Sequence, residues 1–168
     1  MSAYSEVQFP MIDIRFPTAL QMMLTLANSE RNGITRVTST QLAYGLGATP
    51  SLVRKLLVPL GRDHLVRSSL GKTGGVGLAR PASEIPLREI FLSVTEKKRL
   101  WIARPNVPHR CDVSSHIEEY FGHLTGEAER AVLEMLGRRT LAESLDEVLA
   151  LKRASNRRRA SRARANAS

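Results

Sequence analysis

The segment from Thr38 to Pro81 constrains the fold more than any other part of the chain. Thr38-Ser39-Thr40 supplies capping hydroxyls ahead of Gln41-Leu42-Ala43-Tyr44, and Gly45-Leu46-Gly47-Ala48 makes a tight turn after this short helix. Thr49-Pro50 then sets an N-cap hydroxyl before a proline at the first helical position, where a missing N–H costs no hydrogen bond. In the helix that follows, Val53, Leu56, Leu57 and Leu60 recur at helical spacing, which leaves Ser51, Arg54 and Lys55 to face outward near its start. A short helix, a turn and a longer helix form a helix-turn-helix, the arrangement that presents its second helix to the major groove of DNA. Pro59 is expected to kink or end that second helix early, because its ring clashes with the carbonyl of Lys55. Leu65 to Leu70 and Val76 to Ala79 then read as strands joined by Gly71-Lys72-Thr73-Gly74-Gly75, a two-stranded wing with Lys72 near its tip.

The flanking sequence supplies helices to hold this unit. Residues 1 to 14 show no period and read as an arm, while Phe16, Leu20, Met23 and Ala27 mark an amphipathic first helix. Pro86 opens a helix with Leu87, Ile90, Phe91 and Val94 on one face, ahead of the solvated run Lys97-Lys98-Arg99. Pro105 and Pro108 enforce an irregular loop as far as Cys111, after which Asp112 or Ser114 can cap a long helix. Its apolar stripe is Ile117, Tyr120, Leu124, Ala128, Ala131 and Met135, the seam expected of helix pairing and too long for the short neighbouring helices to cover, so a homodimer is expected. Gly122 and Gly126 interrupt it with poor helix formers. Thr140 caps a last helix through Leu141, Leu145, Val148 and Leu149, and beyond Leu151 the composition collapses to Arg, Ala, Ser and Asn, read as a basic disordered tail or frayed helix.

Charge is segregated along the chain. There are 25 Lys plus Arg against 16 Asp plus Glu, a net +9. Seven of the basic residues, Lys152, Arg153, Arg157, Arg158, Arg159, Arg162 and Arg164, follow Leu151 with no acid among them, leaving 18 against 16 elsewhere. Between residues 31 and 81, Arg31, Arg36, Arg54, Lys55, Arg62, Arg67, Lys72 and Arg80 face only Asp63, whereas residues 82 to 151 carry nine basic and twelve acidic side chains. A polyanion would therefore dock on the first half, and nucleic acid fits this pattern better than a uniformly basic surface, although a basic tail alone could serve anionic lipid. A length of 168 residues suits one core with an appended element. One cysteine allows neither an intramolecular disulfide nor a four-cysteine zinc site and points to a reducing, cytoplasmic compartment. The apolar stretch from Leu20 to Ala27 is too short to span a bilayer, and no targeting signal is visible, so no membrane association is expected. No phosphate-binding glycine loop precedes a helix and no nucleophile elbow is present, so the chain does not read as an enzyme.

Taken together, Leu52-Val53-Arg54-Lys55-Leu56-Leu57, Leu65-Val66-Arg67-Ser68, Gly74-Gly75-Val76-Gly77-Leu78-Ala79-Arg80-Pro81 and Glu84-Ile85-Pro86-Leu87 resemble the Rrf-two family of bacterial winged-helix transcription regulators, over about residues 15 to 150. The resemblance implies a homodimer in which the helix after the cysteine loop crosses its mate and two winged helices meet a pseudo-palindromic operator. Several members hold an iron-sulfur cluster through three cysteines in that loop. This chain has only Cys111 there, within Arg104-Pro105-Asn106-Val107-Pro108-His109-Arg110-Cys111-Asp112-Val113, which resembles a single-cysteine subgroup. No cluster, cofactor or structural metal is therefore expected; His109, Cys111, His116 and His123 match no metal-ligand spacing. The wing departs from the family at Leu70, where a basic residue is common, and at Val76-Gly77, where glycine and tyrosine are common.

The expected fold is mostly α: a winged helix-turn-helix with a two-stranded β wing over residues 15–81, an effector and dimerisation region with a long C-terminal helix over 82–151, and a basic tail over 152–168. The expected function is a sequence-specific DNA-binding transcriptional regulator, a repressor acting as a homodimer on double-stranded DNA. Candidate DNA-contacting residues are Ser39, Thr40, Thr49, Ser51, Arg54, Lys55, Arg67 and Lys72, with Arg67 equally suited to brace the wing from the side. Cys111, before a helix N-terminus and beside Arg110, reads as a redox or electrophile sensor or else as a small buried hydrophobe. The loop around it could instead line a pocket for a small-molecule effector. The competing class is a non-specific nucleic-acid or ribosome-associated binder that uses the basic tail.

Overall fold

The computed structural model describes residues 13–69, 74–95 and 99–165, with the backbone alone from residue 159 on. Lys72, at the expected wing tip, lies outside the described residues, as do Leu70, Lys97, Lys98 and the first twelve residues of the lead-in. The elements are α1 (Arg15–Arg31), α2 (Ser39–Leu46), α3 (Pro50–Arg62), β1 (Val66–Ser69), β2 (Gly75–Leu78), a short 3₁₀ turn (Ala82–Glu84), α4 (Leu87–Thr95), α5 (Asp112–Gly137) and α6 (Leu141–Ala165). This is the expected mostly helical winged helix-turn-helix followed by a long C-terminal helix.

Local hydrogen bonds explain where the first helices begin and end. Thr38 and Gln41 close a reciprocal capping box at the start of α2, and Gly47 ends it in the left-handed region at φ 61°. The Thr49 hydroxyl accepts from the Leu52 N–H at 3.2 Å with Pro50 in the first turn of α3. Of the kink or early end expected at Pro59, the early end does not occur. The proline stands in the last turn, and the helix closes beyond it: Asp63 N–H donates to the Pro59 carbonyl at 3.0 Å and Leu65 N–H to that of Leu60 at 2.9 Å. His64, at φ 55°, takes the left-handed cap position usually given to glycine.

β1 and β2 pair antiparallel, Val66 opposite Leu78 and Ser69 opposite Gly75. Val37 adds an isolated bridge on the other edge of β2, exchanging both backbone hydrogen bonds with Val76 at 2.9 Å. The chain leading to α2 thereby crosses the wing so closely that a Cβ on Gly77 would lie 2.4 Å from the Thr35 carbonyl oxygen. Glycine is required there by the approach of another backbone.

One contiguous core joins α1, α2, α3, the wing, α4 and the α5–α6 junction. On α1 the buried residues are Ala19, Met22, Met23, Leu26 and Ala27, while Phe16 and Leu20 sit half-buried at the edge. The face is broader than the expected stripe because α2, α4, α6 and β2 all pack on α1. Leu141 N–H donates to the Ile85 carbonyl at 2.8 Å and Leu87 N–H to that of Arg139 at 2.9 Å, which fastens the α5–α6 junction to the segment before α4.

One boundary differs from expectation in the second half. The N-cap of α5 is Cys111, and Ser114 reaches back to it as the partner of a capping box, where Asp112 or Ser114 was expected to cap. Gly122 and Gly126 leave α5 unbroken. α6, opened by Thr140 and Glu143, runs through Ala165, so the basic segment from 152 to 165 is helical. Alanine and arginine have high helix propensity and no glycine or proline intervenes to stop the helix.

Candidate nucleic-acid interface

Along α3, Val53, Leu56 and Leu60 are buried and Leu57 half-buried, so the opposite face is fixed outward. Ser51, Arg54 and Lys55 are exposed on it within the first turns. Thr49 is exposed too, but its hydroxyl is engaged as the cap. On α2, Thr40 is exposed and Ser39 half-buried, both in the first turn. Among the described residues no carboxylate pairs with Arg36, Arg54, Lys55 or Arg67, whereas Arg31, Arg80, Arg138 and Arg139 are each held by an acid, Asp146, Glu89, Glu134 and Glu147 respectively. Of the cations around the helix-turn-helix, Arg62 at the end of α3 pairs with Asp63 at 3.0 Å, whereas Arg36, Arg54, Lys55 and Arg67 have no carboxylate partner among the described residues.

Arg67 is placed apart from α3. It lines a cleft of about 510 Å³ with Arg31, Arg80, Pro81 and Ala142, between the end of α1, the wing and α6. Two exposed residues were missed by sequence reasoning. Tyr44 on α2 is 91% exposed, and its helix reads from sequence only as a short element after the capping hydroxyls. Arg36 is exposed, with its Cβ beside Gly75, and only the Val37–Val76 bridge, a contact between distant residues, carries it to the wing.

The second region of interest is the start of α5. Cys111 is exposed, which sets aside the reading of a buried hydrophobe. The Ser114 side chain and then its backbone N–H hydrogen-bond to the thiol and hold it below its ordinary range, with a further backbone contribution from Val113. Both residues sit in the first turn of α5, so the shift follows from where the thiol stands at the helix start. Cys111 lines a mainly apolar cavity of about 540 Å³ with Ile102, Val107, Val113, Ile117 and Phe121. Further along α5, Thr125 and Leu136 are buried and Phe121, Val132 and Leu133 half-buried, which turns the expected stripe outward: Ile117, Tyr120, Leu124, Ala131 and Met135 are exposed and Ala128 half-buried. Ile102, Val113 and Trp101 add to this uncovered apolar surface.

The Rrf2 family, described as iron-dependent transcriptional regulators, matches residues 12–147. The chain belongs to the Rrf2 family. Among curated relatives, protein aau3 of Rhizobium meliloti is 40% identical over 75 residues, 45% of this chain and 46% of that protein, so the match spans less than half the length of that relative. Among solved structures, a chain from Lactobacillus plantarum described as a transcriptional regulator superposes with a TM-score of 0.69 at 19% identity, covering 86% of this chain and 99% of the other. The oxidised form of CymR from Staphylococcus aureus does so with a TM-score of 0.59 at 22% identity, covering 81% and 96%. At such identities these structures establish the fold.

The iron in the Rrf2 description would need a set of donors that the described residues do not bring together. Cys111 is the sole cysteine of the sequence, and among the described residues no three His, Cys, Asp or Glu side chains are grouped as a metal ion requires. The Nδ1 of His116 is engaged with the Asp112 carbonyl at 2.8 Å. These residues do not fit an iron or iron-sulfur site. No helix among the described residues is long and apolar enough to cross a membrane.

Proposed function

We propose that this Rrf2 protein is a sequence-specific DNA-binding transcriptional regulator, a repressor acting in the cytoplasm as a homodimer on a pseudo-palindromic operator. The observation that carries the reading is the pair Arg54 and Lys55: exposed, unpaired by any described carboxylate, and held on a Thr49-capped helix whose other face is buried. A rigid helix with free cations in its first turns can enter the major groove and reach base edges and phosphates. Ser51 and Thr40 add exposed hydroxyl donors, with Ser39 and Thr49 at the helix starts, and Arg67 and Lys72 complete the set of residues proposed to contact DNA.

Residues 15–81 act as the DNA-binding module and 82–151 as the effector and dimerisation region, with the stripe Ile117, Tyr120, Leu124, Ala128, Ala131 and Met135 closing against its mate. Cys111 serves as the sensor. Its thiol is exposed, inclined to the thiolate and placed at the mouth of the dimer helix, so oxidation or alkylation there would tilt α5 and change the spacing of the two recognition helices. A Cys111→Ser protein should keep DNA binding and lose release by peroxide or electrophile; a variant that responds like the wild type removes the sensor.

Selection of bound genomic fragments with purified protein, followed by footprinting, tests the reading as a whole. One protected palindrome with half-sites separated by about 10 base pairs or a multiple is expected. Uniform coating of every fragment would replace it with non-specific nucleic-acid binding.

A further inference from the structure

α6 continues well past the last residue that packs on the core. Leu145 is buried and Leu149 half-buried against the core, and the Arg31–Asp146 ion pair at 2.7 Å ties the same stretch to α1, so the base of the helix is anchored to the body that carries α3. From Lys152 to Ala165 the helix goes on for about 21 Å at 1.5 Å per residue. Lys152, Arg153, Arg157 and Arg158 are exposed on it, and the sequence adds Arg159, Arg162 and Arg164 with no acid after Glu147.

Its charges have no preferred side. At a helical turn of about 100° per residue, Lys152, Arg153, Arg157 and Arg158 are spread around the axis. Beyond Leu151 the only apolar residues are alanines. A helix that inserts in a lipid interface needs a face of large apolar side chains, and one that packs on a protein core needs an apolar stripe. This segment has neither. Arg153 and Arg157, four residues apart, also repel one another, so the isolated helix is weakened by its own charge and strengthened by any dense array of anions that neutralises it.

We propose that residues 152–165 form a helical arm that grips the phosphate backbone of duplex DNA flanking the site read by α3. The inference rests on the DNA-binding reading above and adds a second, sequence-independent surface to it. Cations on all sides of a narrow rod suit a groove walled by two phosphate strands. The arm supplies affinity and salt dependence and leaves base discrimination to the recognition helix.

The test compares the full chain with a full-length variant carrying Lys152→Gln, Arg153→Gln, Arg157→Gln and Arg158→Gln. These exposed positions lie outside the core, so the thermal unfolding of the two proteins should agree. The probe is a random-sequence DNA duplex, titrated over a series of salt concentrations. The variant should lose about 10-fold or more in affinity at low salt, and the slope of log K against log salt should fall by roughly 2 to 4, near 0.9 for each phosphate contact removed. Backbone amides after Leu151 should exchange more slowly in the full chain once duplex is added. An unchanged salt slope overturns the arm. So does an unaltered DNA slope accompanied by arm-dependent binding to phosphatidylserine vesicles or to single-stranded RNA. A selected operator that survives with an unchanged slope removes the arm alone; a changed slope with no selected operator keeps the arm and removes sequence-specific recognition.

Discussion

Along α3 and along α5, apolar residues recur at the same helical spacing, yet they meet opposite fates. Val53, Leu56 and Leu60 are buried, whereas Ile117, Tyr120, Leu124 and Met135 are left exposed. The α3 stripe finds its partners within the chain, in α2, α4 and β1. α5 packs on α4 through a different face, that of Thr125 and Leu136, and most of its main stripe is left exposed among the described residues. Equal periodicity therefore marks a buried face in one region and an exposed face, the proposed dimer seam, in the other. What separates them is how many neighbours the chain can bring to each helix.

The sharpest way to break this comparison is truncation on the two stripes. Leu60→Ala should destabilise the protein by about 2 to 5 kcal/mol in urea unfolding, because it empties a fully enclosed site. Leu124→Ala, at an exposed position, should change the unfolding of the dilute protomer by less than about 0.5 kcal/mol. Similar costs at both sites would mean that α5 is covered by its own chain.

The next effect is on assembly. Leu124→Glu should raise the dimer dissociation constant by about 100-fold or more, since it puts a charge in the middle of the proposed seam. Light scattering would then find monomers where the wild type is dimeric, and a wild type that is already monomeric at micromolar concentration would end the dimer proposal. On the α3 side, Arg54→Ala should weaken operator binding by about 1 to 3 kcal/mol without altering stability. Unchanged affinity and sequence preference would show that another surface reads the DNA.

The smallest effect tests how the two regions are joined. Thr140 N–H and its hydroxyl donate to Glu143 at 2.8 and 3.0 Å, which holds the Glu143 carboxyl below its ordinary value of 4.5. A depressed folded-state value means that the contribution is complete above the unfolded value and is lost as pH falls through the folded one. The stability difference between wild type and Glu143→Ala should therefore be present at neutral pH and shrink below about pH 4.5. A gap that is constant with pH would show that the side chain acts by packing and not as a charged cap.

The readings from sequence succeeded where the cause lies within a few residues of the effect. The caps at Thr49 and Thr140, the proline opening α3, and the hairpin of β1 and β2 depend on hydrogen bonds between near neighbours, and a linear pattern displays them. The outward placement of Arg54 and Lys55 follows from the same periodicity that buries Val53 and Leu56. For the α5 cap the pattern offered several hydroxyl and carboxyl candidates, and Cys111 took the position because the extended loop before it ends one residue sooner. The extent of α6 was hidden because a run of arginine and alanine is compatible with either disorder or helix.

Other features were decided only when distant parts of the chain met. The bridge from Val37 to Val76 brings Arg36 to the wing and makes Gly77 necessary. The approach of Ile85 and Leu87 to the α5–α6 junction selects which face of α5 is covered, and so exposes the stripe that includes Leu124. On α2, Leu42 and Ala43 are buried and Tyr44 faces solvent, a division set by the packing of α1 and α3 on the helix. Amino-acid order alone determined the helices, their caps and the wing, because backbone hydrogen bonding and side-chain period are local. Which apolar face is core, which cation is unpaired and which glycine is indispensable were settled by tertiary packing, because burial and close approach are properties of pairs of segments that the linear sequence does not place side by side.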